Sequence, residues 1–280
     1  MRTGGGGKMD EGVRMDEESV AEAEDVTLAD APPVAERPGA LTIAGIVAVD
    51  WVHSVVWHTR AFFSGRIPRE YARGDASRPV VVLIPGVYET WAFLKPVADR
   101  LNADGYRIRI ARGLGYNRKP IRDTAARFAR ALGRLPKPAA GCVIVAHSKG
   151  GLVGKELLLT ERERLGLLGV VAICSPFSGS VLAKYVVDPS LRAFLPTDET
   201  IVALGAPHDV NADIVSIYST FDPHVPSSSV LPGATNVLLP VPGHFVILST
   251  DELKDAVELA VDGFADRVRP ALDTENLADR

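Results

Sequence analysis

Beyond residue 78, short apolar runs rich in β-branched residues alternate with longer segments whose apolar positions recur every three or four residues. The short runs are typical of buried strands, and the longer segments of helices with one apolar face. The alternation predicts an α/β fold with a mostly parallel sheet of about six strands and crossover helices. The strand candidates are Val80–Ile84, Tyr106–Ala111, Cys142–Ala146, Gly169–Cys174, Ile214–Tyr218 and Asn236–Leu239.

The segments between these strands predict helices, together with one less regular insertion at about 178–206. Residues 107–137 hold ten basic residues and one acidic residue. A solvated basic face on the helix of this region is the preferred explanation, and attraction of an anionic substrate is the alternative. The helix candidates are 91–103, 120–134, 149–163 and 251–264.

The first 38 residues differ from the rest in composition. They contain four consecutive glycines and ten acidic residues against four basic ones, which is typical of a disordered arm. The remaining chain is close to neutral, which argues against a nucleic-acid partner. An acidic start does not fit a secretory signal, so we expect a cytoplasmic protein. We expect one α/β domain at 39–270 and a short tail at 271–280.

The most apolar stretch near the N-terminus runs from Leu41 to Trp57 and is interrupted by Asp50 and His53. It falls short of the roughly 20 clean apolar residues that a membrane span needs, so we expect no transmembrane segment. A helix packed on the body of the domain is the preferred interpretation. A helix on a membrane surface is the alternative, disfavoured because its polar face lacks lysine and arginine.

The chain has two cysteines, Cys142 and Cys174, and both lie within apolar runs. Two cysteines are too few for a disulfide framework or a cysteine-rich zinc site. On neighbouring parallel strands they would lie near opposite ends of the sheet. We therefore expect two buried thiols in a reducing compartment and no disulfide.

One segment places a serine between a buried strand and a glycine-rich helix start. Residues 146–150 read Ala-His-Ser-Lys-Gly, which matches the G-x-S-x-G nucleophile elbow with alanine at the first glycine. In such an elbow a tight turn lifts the serine hydroxyl above the sheet, and small neighbours let the backbone pass close by. Ser148 is therefore the candidate nucleophile, with a helix-capping serine as the alternative.

A serine nucleophile needs a base, usually a histidine that a carboxylate holds in its working tautomer. Asp222 is the candidate acid, because it follows the strand at 214–218, at the end where a parallel sheet presents its ligands. The rivals Asp209 and Asp213 precede that strand, and Asp251 fits a helix cap. A plain turn aspartate before Pro223 is the alternative for Asp222.

His244 is the candidate base, because it follows the last strand and completes the chain order Ser, Asp, His. His224 is the alternative. It lies two residues from Asp222, too close along the chain for both side chains to align with each other and with Ser148.

Attack on an ester creates an oxyanion, which requires N–H donors aimed at it. The elbow itself offers the backbone N–H of Lys149. The first strand ends in Ile-Pro-Gly-Val at 84–87, and this glycine turn makes the N–H of Val87 the candidate for the second donor.

Together the elbow, the Ile-Pro-Gly-Val loop, Phe-Asp-Pro-His-Val-Pro at 221–226 and Gly-His-Phe at 243–245 resemble the α/β-hydrolase superfamily. The small bacterial lipase and esterase branch is the most similar, and the resemblance spans about residues 78–264. It implies a reduced α/β-hydrolase fold with a small cap and no metal or organic cofactor. Pro85 departs from the pattern, because many members have histidine before the oxyanion glycine; the backbone donor is unaffected.

The preferred function is hydrolysis of a small-molecule or lipid ester through an acyl-enzyme. Acyl transfer or thioester cleavage by the same triad, and a binding protein on a hydrolase scaffold, remain alternatives, and the oligomeric state is open. The cap expected at about 177–206 is unusually apolar, and we expect Tyr185 and Phe194 to line the acyl pocket. Packing of this apolar set against the sheet is the alternative.

Overall fold

A computed structural model describes residues 39–64, 66–111 and 115–278. The arm expected at 1–38 lies outside the described residues. Strands form where the sequence has its short apolar runs: β1 is Val80–Ile84, β2 Ile108–Ile110, β3 Cys142–His147, β4 Leu167–Ile173, β5 Ile214–Ser219 and β6 Thr235–Leu239. They make one sheet in the order β2-β1-β3-β4-β5-β6, and every neighbouring pair is parallel.

Seven α-helices connect or flank these strands in the described part of the chain, with short 3-10 segments between them. Two 3-10 segments matter for the site, Val181–Tyr185 and Val246–Ser249. The helices are α1 Ala40–Phe63, α2 Lys95–Ala103, α3 Ile121–Leu132, α4 Lys149–Leu165, α5 Pro189–Arg192, α6 Glu199–Gly205 and α7 Asp251–Ala278.

The apolar core lies on both faces of the sheet. Side chains of α2 and α7 pack on one face, including Val97 and Val261, while α3 and α4 cover the other, with Phe128 and Leu157 among them. The close approach of α7 explains Gly169 in β4: a Cβ there would lie 2.2 Å from the ring of Phe264. The predicted six-stranded parallel sheet with helices on both faces is confirmed.

The order of the strands places a topological switch between β1 and β3, because the chain proceeds to one edge from β1 and to the other from β3. In sheets of this kind ligands bind at the carboxyl ends of the strands beside the switch. The glycine turn after β1 and the serine turn after β3 meet at this point.

One boundary differs from the expectation. The helix expected to end at 264 and be followed by a tail from 271 instead continues through Pro270 to Ala278, because the apolar spacing of Val257, Val261 and Phe264 is continued in the sequence by Val268 and Leu272. The segment expected to form the cap, at about 177–206, contains the 3-10 segment Val181–Tyr185, α5 and α6, and we keep the name cap for it. Cys142 and Cys174 are both buried and free.

Helix α1 also departs from the expectation. It is 24 residues long, and among the described residues it is the one helix whose length and composition would suffice to cross a membrane. It contacts the body mainly through Asp50, Ser54 and Trp57, which are its buried residues. Much of its apolar surface is exposed, so the helix packs on the domain along a narrow stripe only.

Candidate functional site

The serine turn has the geometry of a nucleophile elbow. Ser148 joins β3 to α4 with φ +52° and ψ −123°, a region that costs a non-glycine residue strain energy. Only glycine fits at positions 150 and 151, in the first turn of α4. A Cβ on Gly150 would lie 2.2 Å from the carbonyl oxygen of Ile84, and one on Gly151 would lie 2.0 Å from Oγ of Ser175. The turn is therefore clamped between β1 and the loop after β4.

The loops after β5 and β6 bring the candidate acid and base together. Nδ1 of His244 lies 2.6 Å from Oδ2 of Asp222. The other carboxylate oxygen, Oδ1, accepts backbone N–H groups of His224 at 2.7 Å and Val225 at 2.9 Å. Asp222 is thus fixed by its own turn and aimed at the imidazole, so the turn role and the pairing with His244 coexist.

The electrostatics favour a carboxylate beside a neutral imidazole. Burial alone would raise the pKa of the Asp222 carboxyl, but His244 and the two backbone donors hold it below its usual value. Burial lowers the pKa of His244 below its usual value and outweighs the attraction of Asp222. With Nδ1 donating to the carboxylate, the neutral ring keeps its free lone pair on Nε2.

A cavity of about 490 Å³ opens at the carboxyl ends of the strands, and both Ser148 and His244 line it. Its wall is mainly apolar and is supplied by α1, by the cap, by the loop after β1 that carries the candidate donor Val87, called the oxyanion loop below, and by the loop after β6 that carries His244, called the histidine loop. Among the lining residues are Trp51, Val87, Tyr88, Leu182, Val186, Leu191, Phe194 and Phe245.

The candidate oxyanion donors lie at this cavity. Val87 lines it, in the turn after β1. Lys149 is the first residue of α4, so its N–H belongs to the helix turn that has no acceptor within the helix. The fold therefore places Val87 at the same cavity as Ser148, and Lys149 directly after it.

The two residues expected in the acyl pocket are placed differently. Phe194 is buried and lines the cavity. Tyr185 is 75% exposed and lies outside the lining, with Nζ of Lys184 4.7 Å from its ring centre. The reason is the turn at Val181–Tyr185, in which Ala183 is the buried residue, leaving the last side chain on the outside.

Sequence reasoning missed a buried ion pair at the centre of the site. Nδ1 of His147 lies 2.8 Å from Oε1 of Glu89, and Nε2 lies 3.2 Å from the carbonyl oxygen of His244. Oε2 of Glu89 also accepts the N–H of Gly86 at 2.7 Å. One pair therefore joins the oxyanion loop, the elbow and the histidine loop.

The surroundings favour the charged form of His147. Burial would lower the pKa of His147, but Glu89 and the carbonyl of His244 raise it above its usual value. Both ring nitrogens face acceptors, as an imidazolium requires. The only signal in the sequence was two ionisable residues in otherwise apolar surroundings; their pairing across 58 positions needed the fold.

Asp50 of α1 was also missed. Its Oδ1 accepts the N–H of Phe245 at 2.7 Å and of Val246 at 3.1 Å. Its Oδ2 lies 3.3 Å from Nε2 of His224. Burial would raise the pKa of Asp50, but His224 and the backbone donors lower it. Helix α1 thus anchors the loop that carries His244, and His224, the alternative base, faces Asp50.

The side chain of Lys149 helps to hold the glycine turn after β1 in place. Its Nζ donates to the carbonyl oxygens of Asn117, at 2.7 Å, and Lys119, and burial lowers its pKa to about 8. Nδ2 of Asn117 in turn donates to the carbonyl oxygen of Pro85 at 2.7 Å. The buried lysine therefore braces the loop behind the glycine turn.

Within the described ranges, two groups of buried side chains hold potential metal-ligand atoms within 4.8 Å of one another: Glu89, His147 and His244, and Cys174, Asp222 and His244. These are largely the same side chains whose hydrogen bonds to one another are described above. A hydrogen-bonded network therefore explains the clustering.

The sheet order, the elbow after β3 and the loops after β5 and β6 define an α/β-hydrolase fold. No family model matches the chain, and no curated protein sequence matches it. Solved structures do match. The lipase BlEst2 of Bacillus licheniformis superposes in its propeptide form with a TM-score of 0.54 at 15% identity, over 66% of this chain.

The chain covers 51% of that propeptide form. For the mature form of the same lipase the TM-score is 0.52 at 16% identity, over 66% of this chain and 92% of the other. A structure from work on the metagenome-derived lipolytic enzymes LipS and LipT gives 0.50 at 16% identity, over 72% of this chain and 100% of the other. At these identities the likeness concerns the fold.

Proposed function

We propose that this protein hydrolyses carboxylic esters through an acyl-enzyme on Ser148. The observation that carries the proposal is that a serine on a strained elbow and a buried histidine hydrogen-bonded to a carboxylate line one apolar cavity. The lipases with a similar fold support the same reaction class.

In the proposed mechanism Oγ of Ser148 attacks the ester carbonyl and gives its proton to Nε2 of His244. The N–H groups of Val87 and Lys149 stabilise the oxyanion. The tetrahedral intermediate then collapses, and the leaving alcohol takes the proton from His244. Asp222 stabilises the transient imidazolium and stays ionised.

Water completes the cycle. His244 removes a proton from a water molecule, whose oxygen attacks the acyl-enzyme carbonyl. Collapse of the second intermediate releases the carboxylic acid and returns the proton to Ser148. An alcohol, amine or thiol in place of water would give acyl transfer from the same acyl-enzyme, and a thioester could form that acyl-enzyme in the first step.

The test is a series of p-nitrophenyl esters of increasing chain length, assayed with the wild type and Ser148→Ala. We expect wild-type turnover and its loss in the variant, with an unchanged melting temperature. If Ser148→Ala hydrolyses the esters as fast as the wild type, the nucleophile must be another residue. Absence of turnover on every ester, with retained binding of ester analogues, would favour a binding protein.

A further inference from the structure

Helix α1 turns its more polar side toward the domain and its apolar side outward. Two of its three buried residues, Asp50 and Ser54, are polar. The opposite side carries large apolar side chains that are all exposed. We call this set the outer face of α1: Leu41, Val49, Trp51, Val52, Val55, Val56, Phe62 and Phe63.

The outer face is continuous and uncharged. At 3.6 residues per turn its members fall within an arc of about 160°, along a helix about 36 Å long. From residue 40 to residue 63 the charged residues are Asp50, which is fully buried against the histidine loop, and Arg60, which lies near the end of the helix, outside the outer face. Covering this face with an apolar medium would therefore bury no ionised side chain.

The outer face runs into the mouth of the cavity. Trp51 is 59% exposed and also lines the cavity that holds Ser148. Across the cavity the cap contributes Leu182, which is likewise both exposed and lining. A protein bound over Trp51 and Leu182 would obstruct this mouth, whereas a lipid surface would place an ester beside it.

The end of α1 and the segment that follows it carry positive charge. Arg60, Arg66, Arg69 and Arg73 are all exposed, and Glu70 is the one acidic residue between 60 and 73. Guanidinium groups pair readily with phosphate oxygens. An apolar helix face followed by exposed arginines matches the acyl boundary and the phosphates of a lipid surface.

We propose that the outer face of α1 docks on a lipid bilayer, with the helix lying in the plane of the surface. If α1 instead crossed the membrane, the hydrogen bonds that the N–H groups of Phe245 and Val246 donate to Asp50 would break. Docking presents the cavity to ester-bearing lipids in the membrane; this part of the inference rests on the proposed ester hydrolysis, while the docking itself does not.

The test is co-sedimentation with vesicles made of equal parts phosphatidylcholine and phosphatidylglycerol, using the full chain with Ser148→Ala so that no lipid is consumed. In this background Val52→Glu/Val55→Glu places two charges on the outer face, at residues that do not line the cavity. Val202→Glu/Leu259→Glu is the matched control, because those residues are as exposed on α6 and α7.

We expect the parent and the control to sediment with the vesicles, and the Val52→Glu/Val55→Glu partition coefficient to fall by about tenfold or more, because the outer face can no longer enter the acyl boundary. Equal partition of both variants, or no sedimentation of the parent, would overturn the proposal. A dimer in sedimentation velocity that Val52→Glu/Val55→Glu dissociates, without vesicle binding, would assign the face to a second copy.

Activity assays with an intact Ser148 separate the two proposals. Val52→Glu/Val55→Glu should turn over a soluble short-chain ester like the wild type and lose turnover of an ester embedded in vesicles. If the protein binds vesicles but hydrolyses no ester, the docking proposal is supported and the proposed function is refuted. If it hydrolyses soluble esters but does not bind vesicles, the docking proposal is refuted and the proposed function is supported.

Discussion

The surroundings of two neighbouring histidines shift their pKa values in opposite directions at the centre of the site. The ring centres of His147 and His244 are 4.6 Å apart, and each ring faces its own carboxylate, Glu89 or Asp222. Burial lowers the pKa of His244, and the positive charge of His147 lowers it further, while Glu89 raises the pKa of His147. A charge on His147 thus favours the neutral form of His244, which is the form that can accept a proton.

Asp222→Asn tests the role of the carboxylate. The amide preserves the shape of the turn but no longer holds the required tautomer of His244 or stabilises its charged form. We expect kcat to fall on the order of ten-thousand-fold, with a melting temperature close to that of the wild type. Steady-state kinetics with a p-nitrophenyl ester measures this, and near-normal kcat would return Asp222 to a turn role.

Glu89→Gln tests the coupling between the two histidines. Without the carboxylate the pKa of His147 falls, because burial is then less opposed, and a less charged His147 lowers the pKa of His244 less. We expect the acid limb of kcat/KM, which reports this pKa in the free enzyme, to move to higher pH. The free energy of unfolding should fall by about 3–5 kcal/mol, the usual cost of breaking a buried pair.

The control for Glu89→Gln is a pH profile of wild-type kcat/KM with the same ester, whose acid limb should lie below pH 6.5, the usual pKa of histidine. A purely structural role of Glu89 would lower stability without moving the acid limb of the variant. That outcome would contradict the coupling.

At the scale of elements, the sequence pattern was most informative where burial is complete. β1 and β3 are buried at every position and were bounded to within one residue, because an uninterrupted β-branched run leaves few alternatives. The orientation of α1 could not be foreseen, since periodicity separates two faces without telling which one meets the body, and here the polar one does. Tyr185 lies in a short 3-10 segment, where the pattern carries little directional information.

The cap supplies a test at this scale. Phe194→Ala enlarges the cavity on the side of the cap, so the ratio of kcat/KM between long and short acyl esters should change. The change should correspond to roughly 1–3 kcal/mol in the difference between their activation free energies. Tyr185→Ala, which removes an exposed side chain of the same cap, is the matched control and should leave the ratio unchanged. A uniform loss across chain lengths in Phe194→Ala, tracking stability, would mean that Phe194 only packs the core.

At the scale of the whole molecule, six separate parts of the chain meet around one cavity. The switch between β1 and β3 joins the oxyanion loop to the elbow, β5 and β6 deliver the acid and the base, and the cap and α1 close the sides. Chain order predicted Ser148, Asp222 and His244 as a set, since parallel strands end at one edge. The supporting side chains Asp50 and Glu89 needed the three-dimensional arrangement, because their partners are distant in the sequence.

The most direct test of the account is labelling of the full chain with a fluorophosphonate, followed by mass spectrometry of the peptides. An activated hydroxyl beside an oxyanion hole should form a covalent adduct on Ser148, and Ser148→Ala should abolish it. Ser180→Ala, which removes another serine at the same cavity, should keep the adduct. An adduct that persists in Ser148→Ala, or a wild-type protein that stays unlabelled, would contradict a serine hydrolase centred on this elbow.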